Sequence, residues 1–184
     1  GKEVERVLVG TQARLCTYSG QNHPTADWFV PAVNHTESLL RFTVQRREQA
    51  TGEITHSLEI TTQLLGEHNV QNIVGCVATL LERKALDVAQ IQEAIGAFRG
   101  IRRRLEKKSS KSSLFLYEDL SSSRPKAMAA LRALQERHPN SRLFAIFQPH
   151  TFSFRSRQAL EWYPAMFGGV EQVLVFSPPN LRGL

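Results

Sequence analysis

The chain has little cysteine: two in 184 residues, Cys16 and Cys76. They lie far apart in sequence, and each stands within an apolar pattern, which favours small buried thiols over a disulfide framework or a metal centre. Long apolar runs are also missing: none approaches the roughly 20 residues that span a bilayer, and the first residues lack the apolar core of a signal peptide. We therefore expect a cytoplasmic protein with no membrane partner.

Familiar catalytic signatures are absent as well. The sequence contains no G-x-x-x-x-G-K-S/T phosphate loop, no Ser/His/Asp arrangement that stands out and no spacing typical of metal ligands. These absences exclude a self-contained nucleotide-hydrolysing centre of the common type, and no metal ligand is predicted.

Positive charge is concentrated in one place. The net charge is +6, and a run between positions 99 and 111 accounts for the excess, since Glu106 is its one acidic residue. A run of this kind indicates a local phosphate-rich ligand or a solvated turn, whereas nucleic acid favours a charge spread over a face and is the weaker interpretation. The basic residues are Arg99, Arg102, Arg103, Arg104, Lys107, Lys108 and Lys111.

Residues 1–99 have the pattern of a strand meander followed by two helices. Short β-prone segments separated by turn signals predict antiparallel strands. Helical spacing of apolar residues then predicts a helix over HNVQNIVGCVATLLER. A second helix begins at Asp87, which forms a capping-box pattern with Gln90, buries Val88, Ile91, Ile95 and Phe98, and stops at Gly100. The predicted strands are RVLVG, RLCTYS, ADWFVPAV, LLRFTVQRR and ITHSLEITTQLL.

Residues 100–184 alternate strands with helices after a polar loop, KKSSKSS. The order is strand LFLYED, a helix at about 125–137, strand RLFAIF, a helix at about 155–167 and strand QVLVF. Such alternation predicts crossovers and a parallel sheet, and we expect the first of these helices to bury Met128, Leu131 and Leu134. The fold class is therefore α/β: a strand meander with two helices, then a truncated Rossmann-like unit with few strands.

Polar residues cluster where the first helix begins. GEHNVQN places His68, Asn69 and Asn72 there. The amides can cap free backbone N–H groups or pair with the edge of an adenine, and capping is the commoner role of such residues. His68 is either a structural histidine or part of the same site.

Three further positions lie at the join or at strand ends. Arg102–Arg104 can bind phosphate oxygens or form a solvated turn. Asp119 follows a strand, where an acid can accept hydrogen bonds from ribose. His150 follows the next strand, with Arg155 and Arg157 behind it. These two arginines can hold a carboxylate or belong to a surface loop.

The order of four motifs resembles that of a known family. GEHNVQN, FRGIRRRLE, LYED and FQPHTFS together resemble the Mur ligases, the ATP-dependent amide ligases of bacterial peptidoglycan synthesis. TADW with RRLE and YED looks most like the members that recycle murein by joining L-alanyl-γ-D-glutamyl-meso-diaminopimelate to UDP-N-acetylmuramate. FQPHTFS is similar to the same loop in members that join L-alanine.

The resemblance implies an organisation, a reaction and cofactors. Residues 1–99 would be the end of the central ATP-binding domain, and 100–184 an incomplete carboxy-terminal domain. The family uses ATP and magnesium to convert a carboxylate into an acyl phosphate, which an amine then attacks.

It also implies roles for individual residues. Asn69 and Asn72 match asparagines near the adenine, with His68 beside them. Arg104 matches a catalytic arginine that approaches the nucleotide phosphates, and Asp119 matches the acid at the ribose. His150, Arg155 and Arg157 are the candidate substrate-binding residues.

The sequence departs from the family pattern in two respects. The UDP-binding domain, the phosphate loop and the magnesium-binding acids are not in these residues, so the stretch by itself is not expected to turn over ATP. Residues 121–125 are Ser-Ser-Ser-Arg-Pro where related ligases carry His-His-Pro. This leaves open a diverged specificity or an inactive paralogue, and a polyanion-binding module is the competing functional class.

Overall fold

A four-stranded antiparallel sheet forms the first half of the chain. The computed structural model describes residues 8–36, 39–109 and 113–176. The strands are β1 (Trp28–Phe29), β2 (Val33–His35), β3 (Leu40–Arg47) and β4 (Ile54–Thr62). β3 is central: β1 and β2 follow one another along one of its edges, and β4 pairs along the other. The predicted antiparallel meander is confirmed for these segments.

Two predicted strands are not seen. RLCTYS forms only an isolated bridge from Tyr18 to Trp28, because the Thr17 N–H donates to the Asp27 carboxylate, 2.7 Å away, in place of a strand partner. Within RVLVG, residues 6 and 7 lie outside the described residues, Leu8 is helical, and 9–10 form a turn.

Helices α1 (Glu67–Glu82) and α2 (Val88–Ala97) pack against this sheet, and both were predicted. α2 begins with the expected capping box: Asp87 accepts from the Gln90 N–H at 2.8 Å, and Gln90 accepts from the Asp87 N–H at 3.0 Å. Its predicted apolar stripe is confirmed at Ile91, which is buried, and at Ile95, which packs partly buried against the core. It is wrong at Val88 and Phe98, which are 38% and 46% exposed.

Alternating residues of β3 and β4 meet the helical stripe of α1 in the main core. The period of two in the strands and of 3.6 in the helix places these apolar side chains on facing surfaces. The predicted burial of Cys16 and Cys76 is wrong: both thiols are free and exposed, and Cys76 lies outside the buried stripe of α1. The core includes Leu40, Phe42, Val44, Leu58, Ile60, Val70, Ile73, Val74 and Val77.

The second half holds two small sheets and three helices. Strands β7 (Phe144–Phe147) and β8 (Gln172–Val175) are parallel, as predicted for an α/β fold. LFLYED is not part of that sheet, because its residues 117–118 pair antiparallel with β5 (Glu106–Lys107). The elements are β5 (Glu106–Lys107), β6 (Tyr117–Glu118), α3 (Arg124–Arg137), β7 (Phe144–Phe147), α4 (Phe152–Arg155), α5 (Arg157–Met166) and β8 (Gln172–Val175).

α3 occupies the predicted span but buries a different stripe. Ala127, Ala130 and Ala133 are buried, whereas the predicted Met128, Leu131 and Leu134 are only half-buried. The small side chains allow α3 to approach the start of α1: a Cβ added to Gly66 would lie 2.7 Å from the Ala133 Cβ. The two halves of the chain therefore meet here at close range.

The single helix predicted at about 155–167 is two helices. Ser156 is extended, with φ −71° and ψ 151°, and separates α4 from α5. The break places Phe154 in a second core with Ala127 and Met166, and the Tyr163 hydroxyl donates to the Phe154 carbonyl.

The described part of the chain contains neither a membrane-spanning helix nor a cluster of metal ligands. Over residues 8–36, 39–109 and 113–176, no helix is long and apolar enough to cross a membrane. Within the same ranges, no three or more His, Cys, Asp or Glu side chains are grouped so that they could hold a metal ion.

Candidate functional site

A cleft of 790 Å³ lies between the start of α1 and the segment that joins the two halves. Five cationic side chains line it, and Glu106 is an acidic side chain on its wall. We call it the basic cleft. Its surplus of guanidinium and ammonium groups suits a phosphate-bearing anion. The cations are Arg99, Arg102, Arg104, Lys107 and Arg137.

Two residues of the basic run are neutralised by ion pairs. Arg103 Nε lies 2.9 Å from Glu118 Oε1, and Lys108 Nζ lies 2.8 Å from Glu106 and 3.1 Å from Glu118. These bonds raise the pKa of Lys108 and lower the pKa of both glutamates. Lys111 lies outside the described residues. The remaining cations of the run line the basic cleft, so the run is divided between a paired surface and a candidate anion site.

A strained turn positions Arg104. Its neighbours Arg103 and Leu105 have φ values of 59° and 48°, a left-handed conformation that is uncommon for residues with side chains. The Arg103 N–H donates to Glu106 Oε2 at 2.8 Å, and the Arg104 guanidinium donates to the carbonyl of Leu120. The turn therefore holds Arg104 between the basic cleft and the end of β6.

Asp119 supports the same turn. Its Oδ1 accepts from the Leu105 N–H at 3.1 Å, and its Oδ2 accepts from the Ser121 hydroxyl. Asp119 lines a separate cavity of 510 Å³ between β6 and β7, together with His150. The structure thus brings these two predicted residues to one cavity at the carboxyl ends of β6 and β7, outside the basic cleft.

The two asparagines form a short chain of hydrogen bonds. Asn69 Nδ2 donates to the Leu65 carbonyl at 2.8 Å, and Asn72 Nδ2 donates to Asn69 Oδ1 at 3.4 Å. The N-cap of α1 is Gly66, with φ 82°, and no side chain caps this end. The capping interpretation of the asparagines is therefore wrong. Asn69 lines the basic cleft, whereas Asn72 is exposed on the next turn.

His68 faces a third, smaller cavity. This cavity of 330 Å³ lies between α1 and α3 and is also lined by Gln71 and Arg132. Partial burial lowers the pKa of His68, and the charge of Asp119 opposes the change. The imidazole is therefore mainly neutral near pH 7, and its cavity adjoins the others without being part of the basic cleft.

Arg155 holds the loop that carries His150. Its Nε donates to the Pro149 carbonyl at 3.0 Å, and its Nη2 donates to the His150 carbonyl at 3.1 Å. His150 Nδ1 lies 3.2 Å from the Gln148 carbonyl. The fork of Arg155 is thus directed at backbone, while Arg157 is exposed at the start of α5.

Relatives of this chain are known. No protein-family model matches it. It is 32% identical over 173 residues to the UDP-N-acetylmuramate–L-alanine ligase of Chlorobium phaeovibrioides, a match that covers 94% of this chain and 35% of that protein. It is 34% identical over 131 residues to the enzyme of that name from Roseiflexus, with coverages of 69% and 27%. The chain belongs to the Mur ligase family.

The fold agrees with that membership. The structure of UDP-N-acetylmuramate-alanine ligase from Thermotoga maritima superposes with a TM-score of 0.65 at 20% identity, over 82% of this chain and 32% of that chain. The Mur ligase chain described here spans about a third of the length of these relatives. The family prediction is confirmed. Both sequence relatives are named for L-alanine, so the tripeptide-joining member stays a prediction.

In this Mur ligase chain, the serine-rich segment 121–125 contacts the next loop through a backbone carbonyl. The Ser122 carbonyl accepts from the Thr151 hydroxyl at 3.1 Å and from the Ser153 hydroxyl at 2.9 Å. The serine-rich loop after β6 is thereby tied to the loop that carries His150. The two loops border the cavity of Asp119 and His150 as one unit.

Arg137 is a residue of the basic cleft that was not predicted from the sequence. This residue ends α3, lines the basic cleft, and donates from Nη1 to the Thr36 carbonyl at 3.2 Å. In the sequence it resembles any basic residue in the last turn of a helix. No local signal indicates its partner, because Thr36 is 101 positions away.

Proposed function

We propose that the protein containing this chain is an ATP-dependent ligase that joins an amino compound to UDP-N-acetylmuramate in peptidoglycan precursor synthesis. Residues 1–99 are assigned to the end of the central domain and 100–184 to the carboxy-terminal domain. The observation that carries the proposal is the basic cleft, where Asn69 of α1 and Arg104 of the joining segment line one cavity.

L-Alanine is the amino substrate we favour. The sequence relatives are both named for it, and FQPHTFS is similar to the corresponding loop of L-alanine-joining members. The tripeptide L-alanyl-γ-D-glutamyl-meso-diaminopimelate is the second candidate, supported by TADW, RRLE and YED. We assign the carboxylate of this amino substrate to His150, which lines the cavity next to β7, and to Arg157 behind it.

The reaction consists of two displacements. The muramate carboxylate attacks the γ-phosphorus of ATP, which releases ADP and forms an acyl phosphate. The amine nitrogen then attacks the acyl carbon, phosphate leaves, and the nitrogen loses a proton. The guanidinium of Arg104 and its cationic neighbours stabilise the charge on the transferred phosphoryl group.

The chain's own residues also position the nucleotide. We assign Asn69, which lines the basic cleft, to the adenine edge. Asn72 supports it through the bond to Asn69 Oδ1, and His68 adjoins from its own cavity. Asp119 uses one acceptor site on each carboxylate oxygen for the protein. Because a carboxylate offers about four such sites, two remain for ribose hydroxyls.

Magnesium is the cofactor that the family resemblance implies. The described residues contain no cluster of acidic or imidazole ligands that fits it. We therefore assign it no residue here and route no step through it.

Phosphate release by the intact protein tests the proposal. The assay contains ATP, magnesium and UDP-N-acetylmuramate, with L-alanine or the tripeptide added. We expect release with L-alanine. Release only with the tripeptide would instead establish the recycling substrate. Folded protein that releases phosphate with neither amine would contradict the proposal and favour an inactive paralogue or a polyanion-binding module, whose binding to DNA would weaken steeply with salt.

A matched pair of variants tests the site. Arg104→Ala removes a cation from the basic cleft, and we expect kcat to fall about a hundredfold. Arg142→Ala is the control, because its guanidinium pairs with Glu171 and lies outside both the basic cleft and the cavity of Asp119 and His150. Equal kcat in the two variants would rule out the assigned role of Arg104.

A further inference from the structure

Arg137 links the two halves of the chain at the wall of the basic cleft. It ends α3 in the second half, and its Nη1 donates to the Thr36 carbonyl of the first half at 3.2 Å. Leu39 belongs to the same turn as Thr36, since its N–H donates to the Thr36 hydroxyl at 3.1 Å. Leu39 also lines the basic cleft. The contact between the halves and the wall of the basic cleft therefore share these residues.

The guanidinium of Arg137 has donors to spare. An arginine carries five N–H groups in a planar fork, and the bond to Thr36 uses one of them. The fork geometry allows a guanidinium to bind an oxygen of an anion with one edge while another N–H stays on a carbonyl. One side chain is thus able to contact an anion and the opposite half at the same time.

Arg137 adds its charge to that of Lys107. Burial lowers the pKa of His138, and the charges of Arg137 and Lys107 lower it further. The His138 Nε2 atom is hydrogen-bonded to the Tyr117 hydroxyl at 2.9 Å. Tyr117 also lines the basic cleft, and it pairs with Lys107 between β5 and β6. Cations from α3 and from β5 therefore act on the same part of the wall.

We propose that Arg137 is a further anion-binding residue of the basic cleft, and that its bond to Thr36 couples an anion there to the contact between the two halves. The ligand class is a compact polyphosphate, because the basic cleft presents five cations from the segment after α2, from β5 and from α3. The identity of that polyphosphate as part of ATP rests on the proposed function. The binding of an anion by Arg137 does not depend on the proposed function.

Calorimetry with the full 184-residue chain and inorganic tripolyphosphate tests the proposal at low, fixed ionic strength. We expect Arg137→Gln to bind about tenfold more weakly, as for the loss of one charge-assisted bond. Arg137→Lys keeps the positive charge but lacks the planar fork, so we expect its affinity to lie between those of the wild type and Arg137→Gln. Arg41→Gln is the control, because Arg41 is exposed on β3 and outside the basic cleft.

Hydrogen exchange at the Leu39 amide supplies the second readout. Tripolyphosphate is expected to slow this exchange in the wild type but not in Arg137→Gln. Circular dichroism shows whether each variant is folded. If Arg137→Gln does not fold, the comparison is made with Arg137→Lys. Wild-type affinity in Arg137→Gln, or equal weakening in Arg41→Gln, overturns the proposal.

Failure of this inference is distinguishable from failure of the proposed function. If the intact protein releases phosphate but tripolyphosphate binding is unaffected by Arg137→Gln, the proposed ligase function stands and the inference about Arg137 is wrong. Binding that depends on Arg137, combined with no phosphate release, leaves an anion site in a protein that is not an active ligase.

Discussion

The backbone N–H of Leu105 donates to Asp119 Oδ1 at 3.1 Å. Leu105 has a φ of 48°, so this bond stabilises an uncommon backbone conformation next to Arg104. Asp119 and Arg104 were singled out for different parts of a nucleotide, and the structure joins them through one turn. The acid therefore has a structural role in addition to the proposed contact with ribose.

Loss of the Asp119 carboxylate is expected to destabilise this turn. Asp119→Ala removes the acceptor for the Leu105 N–H, and we expect the free energy of unfolding to fall by about 1 kcal/mol. Asp119→Asn keeps a carbonyl oxygen that can accept this bond, so its free energy of unfolding is expected to fall by less. Urea denaturation of the chain measures both values, and an Asp119→Ala variant as stable as the wild type would show that the bond contributes nothing.

Two glycine-to-alanine variants are expected to have opposite effects. Gly66 has a φ of 82°, and a Cβ there would lie 2.7 Å from the Ala133 Cβ. Backbone strain at residue 66 and displacement of α3 are expected to lower the free energy of unfolding of Gly66→Ala by about 2 kcal/mol. Gly96 lies inside α2 with open space around its Cα, so Gly96→Ala is expected to stabilise the chain by about 0.5 kcal/mol. Thermal unfolding compares the two, and a Gly66→Ala variant that melts at or above the wild-type temperature would contradict the packing described at Gly66.

Glu82 is expected to make stability depend on pH. Its Oε1 accepts from Arg46 Nε at 2.8 Å and from Trp28 Nε1 at 3.0 Å, and the bond to Arg46 is the main cause that lowers its pKa below 4.5. A carboxyl group whose pKa is lower in the folded state stabilises the protein above the unfolded value. That stabilisation is lost as pH falls through the folded value.

The test compares wild type with Glu82→Gln across pH. We expect the variant to be about 2 kcal/mol less stable at pH 7, with a difference that narrows steadily below pH 4.5. Glu59→Gln is the control, since Glu59 is exposed on β4. A Glu82→Gln difference that stays constant down to acid pH would show that the charge of Glu82 is not responsible.

Local signals predicted several elements well. The Asp87–Gln90 capping box places the start of α2, alternation predicts β3 and β4, and Pro125 marks the first turn of α3. Each signal depends on residues within a few positions of one another. The order of four motifs likewise identified the Mur ligase family, because it is a property of the linear chain.

Packing decided what the local pattern left open. α3 buries alanines in place of Met128, Leu131 and Leu134. Ala133 meets the start of α1 at Gly66, and Ala127 packs in the second core with Phe154. Residues 114–119 contribute a hairpin strand where a parallel strand was expected. Ion pairs between the hairpin strands stabilise that alternative.

The sequence by itself determined the family, the fold class and the helices and strands whose signals are local. Only the tertiary structure decided that Asn69 and Arg104 share one cleft, that Asp119 and His150 share another, and that Arg137 reaches Thr36. The physical reason is range: capping, periodicity and turn chemistry act over a few residues, whereas a bond across 101 positions exists only once both halves have packed.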